Sequence, residues 1–75
     1  MSRFPAIRAA ELVRFLKARG FVHDRQRGGH VILRNPATGQ TVSVPVHTGC
    51  DIGRGLALQI LKQAGLAADD FLNGR

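Results

Sequence analysis

Three histidines, one cysteine and a band of arginines are the side chains of this 75-residue chain that could move a proton, attack a bond or hold an anion. They are densest in RQRGGHVILRNP, residues 25–36, where His30 follows two glycines, with Arg25 and Arg27 before it and Arg34 after it. An imidazole takes or gives a proton near neutral pH. Attack of an RNA 2′-hydroxyl on the adjacent phosphate needs such a group, plus cations to stabilise the charge that develops on the phosphorane. Gly28 and Gly29 remove side-chain bulk beside the histidine, so that a phosphodiester could come close to the backbone. The same stretch has a plainer reading, a hairpin turn followed by a surface histidine, and for a lone histidine after a turn that is the commoner case. His47 is open to two readings, a second proton-transfer group or a loop residue. His23 reads as structural.

Other chemistries are poorly served. Asp69 and Asp70 fall in the first turn of a terminal helix, where carboxylates complement the helix dipole, and they do not form a trusted acid–base pair. No Gly-Lys-Ser or Gly-Lys-Thr occurs, which excludes a P-loop. The histidines lack the i, i+4 spacing of a helix-borne metal pair, so a metal site would have to be assembled from separate strands, and none is assigned. Cys50 is alone, which excludes an intramolecular disulfide, a cysteine-based zinc site and a redox pair. It reads as a reduced structural or loop thiol. Of the four phenylalanines, Phe15, Phe21 and Phe71 are needed for packing, which leaves little for base stacking. Nothing points to a small-molecule cofactor.

Charge narrows the partners. Eleven Lys and Arg against five Asp and Glu give +6 and a pI near 11.5. Arginine outnumbers lysine nine to two, and its planar fork suits phosphate better than an ammonium does. The balance favours a polyanion: nucleic acid ahead of an acidic protein, although one surface can serve both. No apolar run approaches the roughly 20 residues that span a bilayer. The N-terminus MSRFPAIR lacks the apolar stretch and cleavage site of a signal peptide. The expectation is a cytoplasmic protein with no membrane partner, and one domain over residues 1–75.

The elements that must position these side chains follow from periodicity. Residues 6–19 read as an amphipathic helix with Ala9, Leu12, Val13 and Leu16 inward and Arg8, Glu11, Arg14 and Lys17 outward. Pro5 suits its start, and Gly20 its stop. Three six-residue runs follow, 21–26, 30–35 and 41–46, separated by Arg27-Gly28-Gly29 and Pro36-Ala37-Thr38-Gly39. They predict a three-stranded antiparallel meander in which Pro45 marks an edge or the end of pairing. A glycine-rich loop leads to a helix over 56–64, with Leu56, Ile60, Leu61 and Ala64 on its inner face. A short terminal helical turn lets Phe71 and Leu72 fold back onto the core. The class is α+β, with two helices on one face of the sheet and the other face open.

Register decides what the open face carries. With a four-residue loop at 36–39, paired residues of the second and third strands sum to 75. Leu33 then faces Val42, and Val31 faces Val44, toward the core. Arg34 opposite Thr41, Ile32 opposite Ser43 and His30 opposite Pro45 share the open face. A loop one residue longer would reverse the faces; the polarity of Arg34, Thr41 and Ser43 favours the first register.

The ordered set GF at 20–21, RQRGGH at 25–30, RNP at 34–36, TVSVPVH at 41–47, ILKQAGL at 60–66 and DDFL at 69–72 resembles the HicA family of toxins, the mRNA interferases of HicAB toxin–antitoxin modules. The likeness runs from Ala9 to Leu72. It implies a double-stranded-RNA-binding-domain-like fold, α-β-β-β-α, and metal-free endoribonuclease action on mRNA through the histidine of a GSH or GGH motif, here His30. It also implies a HicB antitoxin that covers the active site. Arg25, Arg27, Gly29, Arg34, His47 and Arg54 are the expected RNA-contacting residues, with Arg27 and Arg34 favoured for phosphate. The chain departs from the family where Gly29 replaces the more frequent serine. It also lacks family cations at Cys50, Gly53 and Leu58, gaining only Arg54, which moves the expected grip on RNA toward Arg25, Arg27, Arg34 and the first helix. A non-catalytic RNA-binding module and an antitoxin-binding domain are the alternatives.

Overall fold

The computed structural model describes residues 7–46 and 51–74. The chain runs β1 (Ile7–Arg8), α1 (Ala9–Ala18), β2 (Val22–Arg27), β3 (His30–Arg34), β4 (Thr41–Pro45), β5 (Asp51–Ile52), α2 (Arg54–Gln63) and α3 (Ala68–Gly74). β2, β3 and β4 form one antiparallel sheet in that order, and the α-β-β-β-α plan expected from periodicity is its frame.

The first helix begins later than its sequence pattern suggests. Ile7 and Arg8 are extended and pair antiparallel with Ile52 and Asp51, a two-stranded ribbon that the sequence reading missed at both ends. Burial explains it: Ile7 and Ile52 are 2% and 1% exposed, and directly opposed β-branched residues pack well across a pleat. Arg8 is the extended residue before α1, with φ −79° and ψ 144°. Pro5, expected to begin the helix, lies outside the described residues.

α1 ends in a complete Schellman motif. Phe21 N–H donates to the Leu16 carbonyl (3.0 Å) and Gly20 N–H to that of Lys17 (3.2 Å), with Gly20 left-handed at φ 99°. α2 closes with the same pair of bonds, from Leu66 to Leu61 (2.9 Å) and from Gly65 to Lys62 (3.0 Å). Each motif turns the chain sharply; the first delivers the buried Phe21 to the start of β2.

The β3–β4 loop fixes the register that the site depends on. Asn35 donates its N–H to the Gln40 carbonyl (2.8 Å), and its own carbonyl accepts from Gly39 (2.7 Å) and Thr38 (3.2 Å). Its side-chain Oδ1 accepts from Ala37 N–H (2.9 Å), an Asx turn around Pro36. The loop therefore has four residues, and the pairs are His30 with Pro45, Val31 with Val44, Ile32 with Ser43, Leu33 with Val42 and Arg34 with Thr41.

One face of this sheet is sealed. Leu33, Val42 and Val44 pack with Leu12, Phe15 and Leu16 of α1, Ala57, Ile60 and Leu61 of α2, and Phe71 of α3. Val13, expected inward, is only partly buried, and Phe15 takes its share. Leu56 is corrected more strongly: it is 43% exposed. The inner stripe of α2 is Ala57, Ile60, Leu61 and Ala64, and Leu56 lies about 100° of rotation from its centre. Phe71 meets Phe15 edge-on, with centroids 5.1 Å apart and planes at 81°. The Arg19 guanidinium lies 5.0 Å from the Phe15 ring and donates to the Asp70 carbonyl (3.4 Å), tying the end of α1 to α3. Asp70 Oδ2 in turn accepts from Ala67 N–H (3.0 Å), a side-chain cap on the start of α3.

Candidate functional site

The uncovered face is a grid of nine positions. Residues paired across strands share a face, and so do alternate residues along a strand. Arg27, His30 and Pro45 make one row, Arg25, Ile32 and Ser43 the next, and Val22, Arg34 and Thr41 the third. Rows are about 6.6–6.8 Å apart. No carboxylate stands among the nine. The one acid of β2, Asp24, sits at a bulge between His23 and Arg25, so the ladder passes over it. The bulge also places His23 opposite Leu33, away from this face, and sets the exposed Val22 beside Arg34.

His30 is held from both sides. The hairpin 27–30 has a two-residue loop whose first position, Gly28, is left-handed at φ 56°, as primed hairpin turns require. A Cβ there would meet nothing within 4 Å, so the backbone conformation selects glycine, with no crowding involved. The Gly29 carbonyl accepts from Val46 N–H at 2.7 Å, which carries β4 pairing one residue past His30. The imidazole is exposed, and it shares with Arg27, Ile32 and Ser43 the wall of an open depression of about 350 Å³. Every residue of β2 is exposed, so both Arg25 and Arg27 stay hydrated and accessible.

Of the residues singled out by sequence, the fold brings Arg25, Arg27, His30 and Arg34 onto one face, with Gly29 in the turn beside them. Arg54 opens α2 in the helix layer and does not join that face. His47 and Cys50 lie outside the described residues. Ile32 and Ser43 were placed on the open face by register, but nothing in their types marked them as walls of a depression. The bulge at Asp24 had no sequence signal, since no glycine or proline flags it. Among the described residues no three His, Cys, Asp or Glu side chains converge in a metal-binding group. Among them, too, no helix is long and apolar enough to cross a membrane.

Fold and face together define a small basic α+β domain, in the α-β-β-β-α order of double-stranded-RNA-binding domains, that presents an imidazole among guanidiniums. The sequence model for the HicA toxin of bacterial toxin–antitoxin systems matches residues 9–66, and the chain belongs to that family. It is a toxin-antitoxin toxin, of a family that generally cleaves mRNA and pairs with an antitoxin. No curated protein matches the sequence.

Proposed function

We propose that this chain is a metal-independent endoribonuclease that cleaves mRNA, arresting translation and growth, with His30 as its proton-transfer residue. The observation that carries the reading is the row Arg27–His30 on an open face whose nine paired positions hold no carboxylate, at the wall of a depression large enough to take part of a nucleotide. The 2′-oxygen attacks the adjacent phosphorus, the bond to the 5′-oxygen breaks, and a 2′,3′-cyclic phosphate is left. His30 takes the proton of the attacking hydroxyl or supplies that of the leaving oxygen. Arg27, directly across the strand pair, meets the charge that builds on the non-bridging oxygens. Arg25 and Arg34 hold neighbouring phosphates, and Gly29 leaves the backbone open to them. His47 and Arg54 are the further RNA contacts of this reading, Arg54 from the helix layer outside the open face. A HicB-type antitoxin covers this face in the cytoplasm, where the mRNA is.

The test is a His30→Ala variant assayed on a single-stranded RNA. Loss of cleavage by about 10²–10⁴-fold is expected for removal of a general acid or base, with an unchanged melting temperature. Full cleavage by the variant overturns the assignment. Wild-type activity should persist in excess EDTA; abolition that is reversed by added divalent ion overturns metal independence.

A further inference from the structure

From the walls of the depression we infer that Ser43 is a further phosphate-holding residue of this site: its Oγ–H donates to a non-bridging oxygen of the phosphate that His30 and Arg27 address. The inference rests on the ribonuclease reading above and adds a third polar group to it. Among the described residues, the depression is lined by a cation, an imidazole, a hydroxyl and an aliphatic group. Ile32 lies at the centre of the grid, paired with Arg25 on one side and Ser43 on the other. It gives the depression an apolar floor for a sugar to rest on. The polar groups surround that floor from three strands, Arg27 from β2, His30 from β3 and Ser43 from β4.

Ser43 is a diagonal neighbour of His30, since His30 pairs with Pro45 two residues further along β4. Such diagonal neighbours stand about 7–8 Å apart, their Cβ atoms somewhat closer, a gap that one tetrahedral phosphate can bridge by hydrogen bonds to both. Pro45, which occupies the direct position, has no side-chain donor. The hydroxyl of Ser43 is thus the first donor that β4 offers to a phosphate seated over the depression. The hydroxyl adds direction: it is a single short donor held close to the backbone of its strand, whereas Arg27 reaches on a long flexible stem. Ser43 is exposed on a sheet surface, so changing it leaves the core untouched.

The experiment compares Ser43→Thr with Ser43→Val. The two side chains have nearly the same shape and both suit a strand, but only threonine keeps the hydroxyl. Single-turnover cleavage of a single-stranded oligoribonucleotide is measured alongside the two phosphorothioate diastereomers at the cleaved linkage. Loss of a hydrogen bond to a charged acceptor predicts a rate about 10- to 100-fold lower in Ser43→Val, with Ser43→Thr close to wild type. Wild type should prefer one sulfur diastereomer, and Ser43→Val should lose that preference, which a purely structural effect would not remove. Equal rates and equal diastereomer preference in Thr and Val variants overturn the inference while leaving the His30 reading intact. Absence of cleavage by wild-type protein overturns both.

Discussion

Arg27 and Arg34 sit at different distances from the imidazole, and this separates their roles. Arg27 is directly opposite His30, whereas Arg34 is two rows along the same strand, about 13 Å away. A guanidinium that touches the reacting phosphate stabilises the transition state, while one that holds a phosphate further along the strand contributes equally to ground and transition states. Arg27→Gln is therefore expected to lower kcat, and Arg34→Gln to raise KM with kcat nearly preserved. Loss of a charge-assisted contact is worth about 1.5–3 kcal/mol in each case. A second readout uses the non-cleaving His30→Ala protein. Each arginine removed should flatten the dependence of log affinity on log salt by about 0.7 for a single-stranded RNA. Identical kinetic profiles for the two glutamine variants would show that the grid does not set their roles.

Among the elements, the hairpin joining β2 to β3 decides whether His30 faces RNA or the core. Gly28 adopts φ 56° in open space, so a side chain there is penalised by backbone conformation alone. Gly28→Val is expected to cost about 1–2 kcal/mol. Gly28→Asn should cost less, because asparagine tolerates a positive φ better than a β-branched residue does. Gly53 is the internal control: it caps the start of α2, also has room for a Cβ and lacks a positive φ, so Gly53→Ser should be neutral or slightly stabilising. Urea midpoints of the three variants check this; equal losses at 28 and 53 would refute it. The meander was legible in the sequence because its punctuation is strong. Gly-Gly and Asn35-Pro36 with Gly39 fix both turns, and alternation from Val31 to Val44 then fixes the faces. The β1–β5 ribbon was not legible. Two-residue strands carry no period, and the pairing of Ile7 with Ile52 is set by a core that brings distant segments together. Leu56 differs for a related reason: neighbouring phases of a helix differ by one residue, and the packing of the core buries Ala57 in its place. For the site, register placed His30 and Arg34 on one face, but the depression depends on how neighbouring side chains stand, which spacing does not encode.

At the scale of the whole molecule, stability and chemistry are carried on opposite faces of one sheet. Among the described residues, all fifteen buried apolar side chains belong to the helix-facing side of the sheet, the helices, their loops and the β1–β5 ribbon, and no polar side chain is buried. The proposed chemistry uses exposed side chains on the other face, whose loss removes little packing. The two should therefore separate by mutation. Phe71 is fully buried and edge-on to Phe15, and it joins α3 to α1. Phe71→Ala removes both its transfer energy and its packing partners, at an expected cost of about 3–5 kcal/mol. A domain of this size has a total stability of only about 4–11 kcal/mol. That variant is expected to melt far below wild type and to lose cleavage in proportion to the unfolded fraction. Restoring the fold at lower temperature should restore its activity. His30→Ala and Arg27→Gln, in contrast, should melt within a few degrees of wild type and stay inactive or slow at every temperature at which they are folded. Thermal melts run beside cleavage assays distinguish the two classes. A large drop in melting temperature for the open-face variants would show that this face contributes to the fold as well, and that chemistry and stability are not divided between the two sides of the sheet.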